Sequence, residues 1–109
     1  MAQVYNLYID QGTTFSTTLS VADQYGEPKD LTEYTSAAQM RKSYYTNTAI
    51  NFNSEISSPQ DGEVTIYLSA EETSAIKAGR YVYDVEVSGA DETLRVLEGI
   101  VVINPEVTK

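Results

Sequence analysis

Residues 68–87 read LSAEETSAIKAGRYVYDVEV, and the hydrophobic period changes halfway along them. Ser69 and Glu72 stand at the spacing of a capping box, in which the serine hydroxyl accepts from the N3 amide and the glutamate reaches back to the cap amide. Glu71 and Glu72 also bring negative charge to the positive start of a helix. A short helical turn is therefore predicted over residues 69–76, ended by Gly79. From Tyr81 the period drops to two, with Tyr81, Tyr83, Val85 and Val87 on one face and Val82, Asp84 and Glu86 on the other. A capped turn running through a glycine into such a strand is a sandwich corner. Gly79 and Tyr81 are its expected structural residues, Tyr81 as a tyrosine-corner side chain whose hydroxyl bonds backbone upstream.

Period-two alternation recurs on both sides of this stretch. Tyr5, Leu7 and Ile9 alternate in a first run and Phe15, Thr17, Leu19 and Val21 in a second, separated by the turn-prone Asp10, Gln11 and Gly12. The polar DQYGEP at 23–28 is a loop. Residues 35–42, TSAAQMRK, are read as a strand with Ser36, Ala38 and Met40 inward. Ile50, Phe52 and Ile56 keep even spacing in INFNSEI, SSPQDG is a turn, and Val64, Ile66 and Leu68 line one face of EVTIYL. After the turn SGADE, Gly99 interrupts the last run and is expected to mark a β-bulge. The apolar residues 100–103 then suggest a strand buried on both faces or one re-registered by that bulge. The residues beyond Pro105 are expected to form a short loose tail.

About seven short strands, one helical turn near 69–76 and no βαβ alternation predict an all-β fold. An immunoglobulin-like antiparallel β-sandwich fits best, with a small closed barrel as the alternative. A chain of 109 residues is expected to form one domain.

Composition bounds the chemistry. The sequence has no Cys and no His, which removes thiolate metal sites, cysteine nucleophiles, the commonest general base and the usual partner of a serine nucleophile. No cofactor or metal site and no enzymatic activity are expected. Asp84 and Glu86, two apart on one strand face, are better read as solvated strand residues than as a catalytic or calcium-binding pair, because no loop supplies further ligands. Sixteen acidic against seven basic side chains give a net charge of −9, which repels phosphate backbones and anionic leaflets, so neither nucleic acid nor membrane is an expected partner. No basic, apolar leader opens the sequence, and the protein is expected to be made in the cytoplasm and stay soluble.

Nine tyrosines against two phenylalanines suit contact surfaces. Tyr81 and Tyr83 alternate as core residues. Tyr44 and Tyr45 lie in the polar KSYYTNT, next to the basic Arg41, and these three are the candidate interface residues. Stacking of Tyr44 and Tyr45 on a glycan is a lesser possibility.

Four stretches occur in the order DLTEYT, QMRKSY, LSAEETSAIKAGRYVYDVEV and RVLEGIVVINPEVT. In this order the chain resembles a group of short structural proteins of tailed phages, notably marine contractile-tailed ones, and more remotely the N-terminal domain of phage upper baseplate proteins. The matching positions include Asp30, Leu31, Thr32, Tyr34, Arg41, Thr73, Gly79, Tyr81, Tyr83, Asp84 and Gly99, and the likeness spans residues 5–108. Glu33 departs from the pattern, which has a glycine there suited to positive φ. The resemblance implies an immunoglobulin-like domain of a virion, present in symmetric copies among other virion proteins, in tail, neck or baseplate or as capsid decoration. It carries no catalytic residues over.

Overall fold

The computed structural model describes residues 3–43 and 48–107. The alternating runs form β1 (Gln3–Val4), β2 (Leu7–Asp10), β3 (Phe15–Ser20), β4 (Thr35–Arg41), β5 (Ile50–Asn51), β6 (Asn53–Ser58), β7 (Glu63–Leu68), β8 (Gly79–Ser88) and β9 (Thr93–Asn104). A 3-10 turn at Pro59–Asp61 precedes β7, and helix α1 (Ala70–Ser74) joins β7 to β8. Among the described residues these strands make two sheets. One runs β1/β2, β9, β8, β4, β5 and the other β3, β7, β6. Packed face to face they form an immunoglobulin-like β-sandwich.

Its core is made by the predicted inward faces. Val64 and Ile66 of β7, Val85 and Val87 of β8 and Val101 of β9 have no exposed surface. Each such side chain stabilises the fold by roughly 1.5–3 kcal/mol. Phe52 lies between Phe15 and Tyr83, with both ring centroids 6.1 Å away.

There are more strands than the roughly seven expected because two runs are divided. In INFNSEI, β5 pairs with β4 and β6 with β7, so the chain changes sheets at the buried Phe52, whose amide donates to the Ala38 carbonyl at 3.0 Å. The first run is divided at Tyr5 and Asn6. Its two parts pair parallel to β9, with Gln3 opposite Leu97 and Leu7 opposite Val101, where antiparallel pairing alone was expected. Parallel pairing of the first and last strands needs no local turn, so periodicity carries no sign of it.

Other boundaries move as well. The capping box at Ser69 forms in both directions, but the helix ends in a C-cap at Ala75, and Gly79 instead opens β8. The bulge in the β8–β9 ladder falls at Val96, since Val85 pairs with Leu97 and Glu86 with Arg95. Gly99 stays in register opposite Tyr83. Val101 and Ile103 are buried whereas Ile100 and Val102 are half-buried on the outer face, so this strand is not buried on both sides.

Candidate functional site

The corner residues position the outer faces. The Tyr81 hydroxyl donates to the Lys77 carbonyl at 2.6 Å, closing a tyrosine corner between α1 and β8. Burial pushes the Tyr81 phenol above its ordinary pKa, and the Lys42 ammonium lies 4.6 Å from the ring centroid. Gly79 leaves room for that lysine: a Cβ there would come within 2.6 Å of Lys42 Nζ. Thr73 is fully buried and ties the same end together, accepting from the Gly12 amide at 3.0 Å and donating to the Thr13 carbonyl at 2.8 Å.

A second tie holds the first strand. Tyr83 donates to the Tyr5 carbonyl at 2.5 Å across 78 residues of chain. That carbonyl turns toward the core, so the Ile100 amide takes its acceptor from the Asn6 side chain at 3.1 Å, and the ladder is interrupted between β1 and β2. Gly99 makes the arrangement possible: a Cβ at this position would stand 2.3 Å from the Tyr5 oxygen. Burial pushes the Tyr83 phenol up to about 12, with a smaller contribution from Tyr5.

Arg41, Asp84 and Glu86 face outward from the larger sheet. With Gln39, Arg95 and Glu98 they surround a shallow recess of about 440 Å³, at which the small outward side chain of Ala37 leaves room. Arg95 bridges Asp84 at 3.3 Å and Glu98 at 3.6 Å, and Arg41 donates to Gln39 at 3.4 Å. Asp84 is thus one side of an ion pair, and its neighbour Glu86 is a half-exposed strand residue. The recess presents mixed charge on a rigid sheet, an arrangement suited to contact. Tyr44 and Tyr45, the other candidate interface residues, lie outside the described residues.

Sequence reasoning missed the apolar part of the same face. Val82, Ile100 and Val102 are half-buried there, and Val4, Tyr5 and Tyr8 on β1, β2 and their junction are exposed. The signal was present in residues 100–103, where apolar side chains occupy both parities.

No family model and no curated protein sequence matches the chain. Solved structures with a similar fold include Listeria monocytogenes InlP, at 15% identity and a TM-score of 0.50 over 94% of this chain. A weaker structural match is a family 123 glycoside hydrolase from Clostridium perfringens, at 9% identity and a TM-score of 0.42 over 97% of this chain. The chain spans 28% of the first structure and 24% of the second. At such identities the likeness to InlP concerns the fold alone.

Proposed function

We propose that this chain is a non-enzymatic structural subunit of a tailed-phage virion, an assembly or adaptor protein of the tail, neck or baseplate that works through protein contacts in repeated copies. The observation that carries this reading is Glu33. The phage pattern has glycine at this position, and Glu33 is the one non-glycine residue with positive φ among the described residues, at 68°. A positive φ at Glu33 is the backbone state that a glycine at this place of the pattern would suit, and it supports the reading. Thr73, Gly79, Tyr81, Tyr83 and Gly99, which match the same pattern, hold corners and strand ties. A module built this way offers its surfaces, chiefly the outer face around Arg41, Glu86, Ile100 and Tyr8. Symmetric repetition makes weak contacts on such a surface sufficient for assembly.

Mass spectrometry of purified particles, with tails and capsids separated, tests the reading. The chain is expected in the tail fraction. Detection on capsids alone would make it a decoration protein, and absence from both fractions would overturn the virion assignment.

A further inference from the structure

Four edges bound the two sheets among the described residues, and three of them carry features that prevent pairing. The β1/β2 edge is broken at Tyr5 and Asn6, and β5 is two residues long. β6 shifts register between Glu55 and Ser58, carries Glu55 and runs into Pro59.

β3 carries none of these. Its six residues, FSTTLS, pair with β7 in unbroken register from Phe15 opposite Leu68 to Ser20 opposite Glu63. They include no charge, proline or glycine. The inner side of this edge is also incompletely covered. Val64, Ile66 and Leu68 on β7 are buried, whereas the residues paired with them, Leu19, Thr17 and Phe15, are only half-buried.

We infer that the free edge of β3 pairs with the same edge of a second copy of this chain. The strand is complementary to itself. A two-fold axis through Thr17, perpendicular to the sheet, sets Phe15 opposite Leu19 of the second copy on the inner side and Ser16 opposite its Thr18 on the outer side. Directly opposed residues in an antiparallel pair share a face, so the two half-buried apolar side chains cover each other. The pairing joins two three-stranded sheets into one of six. Charge favours this edge over carboxylate-bearing surfaces for self-association, because a facing segment without carboxylates adds no close like-charge contact to the general repulsion between two chains of net charge −9. The inference does not depend on the virion reading, since it concerns the purified chain.

Sedimentation velocity tests it, carried to about 1 mM because a six-residue strand pairing is a small interface of the weak class. The mass is expected to rise with concentration from the 12.0 kDa of one chain toward twice that value. Ser16 and Thr18 are exposed and face away from the core, so charge there leaves the core untouched and removes only the exposed hydroxyl contact of Thr18 with Thr65 at 2.8 Å. Ser16→Glu with Thr18→Glu sets like charges opposite each other and is expected to weaken association at least about tenfold. Ser16→Lys with Thr18→Lys does the same, and mixing the two double variants restores dimers. Amide exchange of the unmodified chain gives an independent measurement: protection of β3 amides rises with concentration while that of β6 does not. A chain monomeric at the highest concentration, double variants that associate like the unmodified chain, or β3 exchange independent of concentration would each overturn the inference.

Discussion

At the β8 side of the core, Tyr81 and Tyr83 each donate to a main-chain carbonyl, of Lys77 and of Tyr5, and both rings are buried. At the opposite end, Tyr34 donates to the Glu92 carboxylate, Lys29 bridges Glu92 at 3.1 Å and lies 5.6 Å from the Tyr34 ring centroid, and this cluster is solvated. Both regions use a tyrosine hydroxyl to join segments far apart in sequence. They differ in what is lost when the hydroxyl goes. Water replaces the lost donor less readily at a part-buried carbonyl than at the exposed carboxylate. The pKa directions follow the same division: burial raises Tyr83, while the hydrogen bond to Glu92 is the main cause raising Tyr34.

The largest test of the buried region is Tyr81→Ala, expected to cost about 3–5 kcal/mol by denaturant unfolding, as for truncation of a core aromatic. A loss below about 1 kcal/mol would contradict its place in the core. Gly99→Ala is next. The added methyl meets the Tyr5 main chain, which has no flexible end to move aside, so a loss of about 2–4 kcal/mol is expected, with faster amide exchange concentrated in β1 and β2. An uncompromised N-terminal strand in this variant would break the account of the tie.

Removing only the hydroxyl separates the two regions directly. Tyr83→Phe is expected to cost about 1–2 kcal/mol, because it orphans the Tyr5 carbonyl. It also changes the alkaline limb of the stability profile. With its phenol raised to about 12, Tyr83 contributes stability that is fully present below the ordinary tyrosine pKa near 10 and lost as pH rises through about 12. The variant should therefore lose less stability than the parent across that window.

Tyr34→Phe is the smallest of the four, with a loss below that of Tyr83→Phe in the same unfolding series. Its signature lies at acid pH. Hydrogen bonds from Tyr34 and Lys29 hold the Glu92 carboxyl below its ordinary value, so the contribution of Glu92 is present above that value and lost as pH falls through the lowered one. Tyr34→Phe removes the larger of those causes and should shrink the acid-dependent part. A Tyr34→Phe loss equal to that of Tyr83→Phe would erase the distinction between the regions.

The sandwich was readable because its strands are half-buried and alternate cleanly, as in Val64, Ile66 and Leu68 or Tyr81 through Val87. Both halves of the capping box at Ser69 were equally plain, since they are local. What escaped the sequence depends on residues distant along the chain. The tie between Tyr83 and Tyr5 spans 78 residues, so Gly99 looked like a bulge when it is a point of close approach. The outer-face apolar group of Tyr8, Val82, Ile100 and Val102 is assembled from three strands by register alone. Arg41 could be singled out in the sequence, but the recess it borders is made by Ala37 and Gln39 on its own strand and carboxylates on the next two.

The central proposal is that this sandwich is a building block of a tailed-phage virion and works through its surfaces in repeated copies. A cryo-EM reconstruction of the intact phage particle tests it most directly. The predicted result is density for this domain at symmetry-related positions in tail, neck or baseplate, with neighbouring protein against its outer faces. A well-resolved particle with no density for the domain, in a phage that makes the protein, would contradict the claim.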